Sequence, residues 1–325
     1  MQQGQASRTA EFMALFRALE SSRPPERRLF EDRFAHLFLR LPFRFVFRLA
    51  RFPLGGDLIP RLIDSRWPGA RSSGVARTRF IDDALRAALG DGVEQVVILG
   101  AGFDCRAYRI SGIERTRVFE VDHPDTLAEK RRRLRQVLPS APPHVRLVAT
   151  DFNHRQLEEL MANGGYDPAR RTFFIWEGVT NYLTAAAVDV TFRWFATAAR
   201  GSRVVFTYVH RRVLDDPPAF AGTRRLFRTL RQTGEPWTFG LDPAEVPGYL
   251  AGRGLDLLED LGAVDYRSRY LRGRGREMRG YEFYRIALAR TQGRGAEPAA
   301  AADRGGIRCL RPVAPRAAAA AERGP

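Results

Sequence analysis

Residues 95–109 read QVVILGAGFDCRAYR, and this stretch decides the fold. Residues 95–99 (QVVIL) form a short apolar run rich in β-branched side chains, the composition of a strand buried on both faces. Gly100-Ala101-Gly102 follows at once. Glycines there let the backbone turn sharply and approach a ligand without a Cβ in the way. In an open α/β sheet, ligands sit beyond the carboxyl ends of the strands, beside the first strand, so this turn is the first candidate binding element.

Working outward, the same rhythm repeats. Strands are predicted at 117–122 (RVFEVD), 145–150 (VRLVAT), 172–176 (TFFIW) and 203–209 (RVVFTYV), with helical segments at 125–138, 154–161 and 185–200 between them. Strands alternating with helices imply right-handed crossovers and a mostly parallel sheet. Beyond residue 209 the rhythm breaks. Residues 211–240 form a long, Pro-interrupted excursion carrying Phe220, Phe227, Trp237 and Phe239, more aromatics than a solvated connection needs, and are read as a lid over an acceptor pocket. A helix at 243–253 and strands at 255–260 and 281–289 follow, the last of them fit to insert antiparallel. Upstream, 11–71 is helical with Pro and Gly breaks, and a helix at 77–89 stops at Gly90-Asp91-Gly92. The chain therefore divides into an N-terminal helical cap (1–75), an α/β domain (76–290) with the 211–240 insertion, and a tail (291–325) of Ala, Gly, Pro and Arg read as disordered.

The chemistry gathers at the ends of the first two strands. Asp122 lies twenty residues after Gly102 and ends the second strand, where a carboxylate accepts both hydroxyls of an adenosine ribose. Glu120 shares its sheet face, since strand side chains alternate, but the terminal position favours Asp122. A dinucleotide fingerprint would need a third glycine where Cys105 stands, and Asp104 would repel a diphosphate. S-adenosylmethionine has no phosphates and carries sulfonium and ammonium groups that suit acidic neighbours, so it is the expected cofactor. An NAD-dependent oxidoreductase is the rival that Cys105 and Asp104 speak against.

Composition sets further bounds. The 325 residues are 44% hydrophobic, enough for a sizeable core. The net charge of +16 raises a second rival, a non-catalytic, RNA-directed protein on the same fold. Of the 53 basic residues, however, only Lys130 is a lysine, and the arginines are scattered, which reads as a compositional bias rather than a nucleic-acid surface. Cys105 and Cys309 show neither metal spacing nor a disulfide framework, which together with a start lacking a signal-like apolar core predicts a cytoplasmic protein. The most membrane-like stretch, residues 36–51 (HLFLRLPFRFVFRLAR), is interrupted by Pro42, Arg40, Arg44 and Arg48 and is too short to span. It is read as a cap helix packing on the core, with an interfacial helix as the alternative.

Four ordered motifs, VVILGAGFDCRAYR (96–109), VFEVDHP (118–124), ATDF (149–152) and WEGVTNYL (176–183), resemble the leucine carboxyl methyltransferase family, in particular its bacterial branch of S-adenosylmethionine-dependent methyltransferases. The resemblance covers about residues 70–290. It implies a Rossmann-like class I methyltransferase fold, with a seven-stranded, mostly parallel sheet, an antiparallel last strand and added helices over the cofactor. It also implies roles. Arg77 pairs with the methionine carboxylate, with Arg79 the near alternative; Gly100 and Gly102 contact the methionine part; Asp122 holds the ribose. Asp151 and Phe152 meet the adenine, and Glu177 lies near the ammonium or the acceptor entrance.

The methyl acceptor is expected to be an oxygen, carboxylate or hydroxyl, of a small molecule or peptide. A carboxylate needs no base at pH 7; for a hydroxyl the candidates are Tyr182, Tyr208 and His210, all at strand ends or in the loops after them. Two departures from the family pattern stand out. Cys105 replaces a threonine, and Gly178-Val179-Thr180-Asn181 replaces a more apolar segment, which puts the acceptor rather than the cofactor in question.

Overall fold

The computed structural model describes residues 8–52, 55–150, 157–234, 236–271 and 280–293. Seven strands, β1 (Gln95–Leu99), β2 (Arg117–Asp122), β3 (Val145–Ala149), β4 (Thr172–Trp176), β5 (Arg203–Val209), β6 (Leu255–Leu261) and β7 (Tyr284–Thr291), form one sheet in the order β3-β2-β1-β4-β5-β7-β6. β1 to β5 are mutually parallel, and β7 inserts antiparallel between β5 and β6. The helices are α1 (Arg8–Ser21), α2 (Leu41–Ala50), α3 (Gly55–Arg66), α4 (Ala70–Gly90), α5 (Arg106–Arg109), α6 (Pro124–Leu134) and α7 (Leu157–Asn163), then α8 (Ala185–Ala196), α9 (Arg212–Asp215), α10 (Thr223–Thr233), α11 (Val246–Ala251) and α12 (Ala263–Tyr266). None among the described residues is long and apolar enough to cross a membrane.

The two faces of the sheet follow from the two-residue alternation of strand side chains. Val96 and Ile98 join Phe80, Ile81 and Leu85 of α4 in one core, while Val97 and Leu99 join Phe192 and Phe195 of α8 in the other. Helices on both sides explain why β1 and β4 are buried throughout. β3 is different: it is an edge strand, and Leu147 and Arg146 are exposed, so the expectation of strands buried on both faces fails there.

Other differences have local causes. α4 begins at Ala70, seven residues ahead of the expected start, because Gly69 turns the chain with φ +97° directly before it. One helix therefore runs through the expected 75/76 boundary. β7 begins at Tyr284 rather than residue 281, since Tyr281 accepts the Tyr284 N–H in a turn (3.0 Å) and its own N–H donates to Ser73 Oγ (2.8 Å). The tail from 294 onward lies outside the described residues.

Glu120 and Asp122 share a face but not an environment. Glu120 is fully buried, with Lys130 Nζ 2.9 Å from Oε1 and the Tyr108 hydroxyl donating to Oε2 at 3.0 Å. The only lysine in the sequence is thus spent on a core ion pair between β2 and α6. Breaking a buried pair strands the other charge. Lys130→Ala is expected to lose about 3–5 kcal/mol of stability in urea denaturation, and Glu120→Leu/Lys130→Met to regain most of it.

Candidate functional site

At the carboxyl ends of β1, β2 and β4 the chain encloses a cavity of about 1160 Å³. Its floor is the glycine turn. Gly100 adopts φ +68°, and a Cβ there would come within 2.3 Å of Val179 Cγ2. Gly102, at φ +43°, donates its N–H to Asp122 Oδ2 at 2.6 Å, and the His123 N–H donates to Oδ1 at 2.6 Å. These two bonds orient the Asp122 carboxylate in the cavity wall. Burial nevertheless raises its pKa, and the two N–H groups offset only part of that rise.

Across the floor lies a chain of charges. Glu177, just after β4, accepts from Arg77 Nε of α4 at 2.8 Å and from Arg106 Nη1 of α5 at 2.9 Å. Arg106, with a side chain 2% exposed, also bonds Asp104 and donates through Nε to Asp82 Oδ1 at 2.8 Å. Arg109 donates to both oxygens of Asp82 at 2.6 and 2.8 Å. Burial opposes ionisation of Glu177, but Arg106 and Arg77 hold its pKa below the usual value. Asp104 is likewise held down to about 2, against the pull of burial, by Arg106, Lys130 and Arg17. Arg77 Cζ lies 4.7 Å from the ring centre of Tyr284.

Of the residues singled out from the sequence, Arg77, Gly100, Gly102, Asp122, Glu177 and Tyr182 all line this cavity. Asp151 and Phe152 lie outside the described residues. Arg79 points elsewhere, pairing with Asp83 at 2.8 Å and donating to the Leu29 carbonyl. Two of the three base candidates are not brought to the cavity. Tyr208 is fully buried between β5 and its neighbours, its hydroxyl donating to Asp260 Oδ2 at 2.6 Å, and burial raises its pKa strongly. His210 accepts the Arg212 N–H through Nδ1 at 3.2 Å and packs near Phe220. Tyr208 lies near the end of β5 and His210 just after it, as expected, but the partner that engages the Tyr208 hydroxyl is not visible in the sequence. The Arg106–Asp82 pair is absent from the sequence expectations; the visible signal was an arginine two residues after Asp104, within residues 96–109.

The far side of the cavity is apolar. Phe12 and Met13 of α1, Phe43 and Val46 of α2, Ile63 of α3 and Trp67 face Leu226 and Leu230 of α10 and Trp237. The 211–240 segment therefore contributes Leu226, Leu230 and Trp237 to the wall. Trp237 lines the cavity and packs on Phe227 at 5.7 Å and Phe283 at 5.9 Å, Phe220 joins the same cluster through Phe283, and Phe239 sinks into the sheet core. Thr238 ties the segment to the β4 loop, its N–H donating to Asn181 O at 2.8 Å and its hydroxyl to Leu183 O at 2.9 Å.

The donor set fits S-adenosylmethionine rather than a diphosphate. Asp104, Asp122, Asp125 and Glu177 outnumber the lining arginines, Arg17 and Arg77, and Arg17 is engaged by Asp32 and the Phe103 carbonyl. Acids favour a cation and oppose phosphates. A glycine cradle, a strand-end carboxylate and an antiparallel seventh strand define an S-adenosylmethionine-dependent methyltransferase. More narrowly, the chain belongs to the leucine carboxyl methyltransferase family, whose model matches residues 10–196. It is 37% identical over 212 residues to a Frankia alni protein assigned as an S-adenosyl-L-methionine-dependent methyltransferase, covering 64% of this chain and 70% of that one. A Streptomyces coelicolor protein of the same assignment is 38% identical over 208 residues, with the same coverage. The fold is that of a crystal structure from Thermobifida fusca assigned as a methyltransferase (TM-score 0.53, 18% identity, 84% of this chain and 97% of that one). A DUF574 family protein from Streptomyces avermitilis matches equally well (TM-score 0.53, 16% identity, 85% and 96%).

The raised pKa of Asp122 gives a pH test. If Asp122 holds the cofactor ribose, the hydroxyls donate to its ionised carboxylate, so affinity is expected to be full above that pKa and to fall as pH drops through it. Because the pKa is raised, the loss begins at a higher pH than for an ordinary carboxylate, while Glu177 stays ionised. By calorimetry, Asp122→Asn should flatten this pH dependence and Asp122→Ala should cost roughly 2–4 kcal/mol of S-adenosylmethionine binding. Arg77→Ala should weaken binding and Arg79→Ala should not; the reverse ranking would remove Arg77 from the site.

Proposed function

We propose that the protein methylates an acceptor oxygen, and that the acceptor is an apolar carboxylic acid. The carrying observation is that one cavity joins two chemistries, an acidic floor around Asp122 and Glu177 and an apolar chamber whose lining polar groups include the hydroxyls of Tyr182, Tyr281 and Tyr284. Its volume of about 1160 Å³ exceeds what one drug-sized ligand occupies. S-adenosylmethionine, when bound, supplies an electrophilic methyl group on a sulfonium. Arg77, Asp122 and the glycine turn would hold it; Asp151 and Phe152 are proposed for the adenine.

The rest is positioning. Phe12, Phe43, Ile63, Trp67, Leu226 and Trp237 exclude water and present the acceptor against the floor. A carboxylate is ionised at neutral pH and asks for no proton transfer, which agrees with Tyr208 and His210 lying away from the cavity. Burial pushes the Tyr281 phenol up to about 12, so it is suited to donate a hydrogen bond to an acceptor oxygen rather than to take a proton. Residues 211–240 are proposed as the segment that sets acceptor choice.

The test offers S-adenosylmethionine with matched apolar acids, alcohols and phenols. Methyl esters that release methanol in mild base are the expected products. Tyr182→Phe should then keep turnover within a few-fold, whereas a roughly 10²–10⁴-fold loss would mark Tyr182 as a base acting on a hydroxyl acceptor. Trp237→Ala should change acceptor KM or preference while leaving S-adenosylmethionine affinity nearly intact. Collapse of cofactor affinity and stability together would make the 211–240 segment core structure.

A further inference from the structure

Outside the cavity, one surface has the composition of an interior. Six of the eleven large apolar side chains exposed among the described residues come from two adjacent helices: Leu41, Phe45, Leu49 and Phe52 on and just after α2, and Leu58 and Leu62 on α3. Leu41 is 82%, Phe45 63% and Phe52 65% exposed. Single exposed hydrophobics need no explanation, but such a concentration marks an interaction surface.

α2 has three faces rather than two. Phe43, Val46, Phe47 and Ala50 turn inward, and Phe43 and Val46 reach the cavity. Leu41, Phe45, Leu49 and Phe52, spaced by four, four and three residues, make a second apolar stripe facing out. Arg44, Arg48 and Arg51, spaced by four and three, form an exposed third stripe beside it. Residues 40–66 hold six arginines, all exposed, against Asp57 and Asp64. Arg40 is paired with Glu11 at 2.7 Å and Asp64 with Arg71 at 2.5 Å, so the remaining balance is strongly positive.

We propose that the outer face of α2 and α3 docks on an anionic lipid surface, lying in the interface without crossing it. An apolar stripe flanked by arginines is the arrangement that seats a helix at the headgroup boundary. Charge decides against a second copy of this chain as the occupant. A two-fold interface sets a patch against itself, which would bring arginine stripes together, while acidic headgroups neutralise them. The inner faces of the same helices wall the apolar chamber, so docking places that wall against the lipid.

The full-length protein is mixed with vesicles of phosphatidylcholine alone or with phosphatidylglycerol, and sedimented. It should pellet with the anionic vesicles and not with the neutral ones. Phe45→Glu/Phe52→Glu should lower partitioning more than roughly tenfold, since two aromatic side chains no longer enter the interface. Arg44→Glu/Arg48→Glu should lower it roughly tenfold or more, with the residual binding removed by salt. Melting temperature and S-adenosylmethionine affinity should be unchanged in both, and Phe45→Ser/Phe52→Ser serves if the acidic pair is poorly folded. The proposal is overturned if the wild type fails to pellet, pellets equally with neutral vesicles, or is unaffected by these substitutions. A dimer in sedimentation velocity, abolished by Phe45→Glu/Phe52→Glu, would assign the surface to a second copy instead.

Discussion

The site hangs on one buried guanidinium. Arg106 touches Asp82 of α4, Asp104 of the turn after β1, and Glu177 after β4, three elements remote in sequence that together form the cavity floor. Taking an ion out of water costs several kcal/mol unless partners replace the lost solvation, and each of these groups is the replacement for another. The network is therefore close to all-or-none. Removing one charge leaves its neighbours buried without compensation, and the geometry at Glu177 and Arg77 would be lost with it. Arg109 extends the chain toward Asp32 and, through Arg17, to α1, so the helical cap is tied to the same ionic frame as the sheet.

This frame also accounts for the electrostatics at the ligand. Burial pushes the pKa of Glu177 and Asp104 up, but the arginines behind them hold both below the usual carboxylate value. Asp122 has no such arginine partner; burial outweighs the Gly102 and His123 N–H groups and the smaller help of Lys130 and Thr126, and its pKa rises. Acids a short distance apart on one floor thus differ in their response to pH because of what stands behind each. A floor that stays negative attracts a cationic cofactor, and the apolar opposite wall does not compete for it.

The sheet was legible because its strands are short, apolar and separated by turn chemistry, and the observed β1, β2, β4 and β5 coincide with the residues expected. The glycine turn and Asp122 were legible for a related reason: ligand sites in such sheets lie at fixed topological positions, which sequence order alone locates. Tyr208 and His210 show the limit. Tyr208 lies near the end of the fifth strand and His210 just after it, but the Tyr208 hydroxyl is engaged by Asp260 of β6, a contact 52 residues away. Asp82 and Arg106 escaped for the same reason, as partners 24 residues apart whose pairing is created by tertiary packing. β7 began late because Ser73, more than two hundred residues upstream, captures the Tyr281 N–H.

The cap helices carry the argument one step further. A helix that must bury a face against a core normally leaves its other face polar. α2 instead keeps Phe43 and Val46 inside, Phe45 and Phe52 outside, and its arginines along one edge. Read as a string, residues 36–51 allowed either a packed cap helix or an interfacial one. The structure gives the packed face directly, and the second apolar stripe is what packing alone leaves unexplained. Because the two stripes lie on opposite sides of one helix, the wall of the apolar chamber is a single helix thick at this point. The apolar chamber thus lies one helix away from a surface that is itself apolar and flanked by arginines.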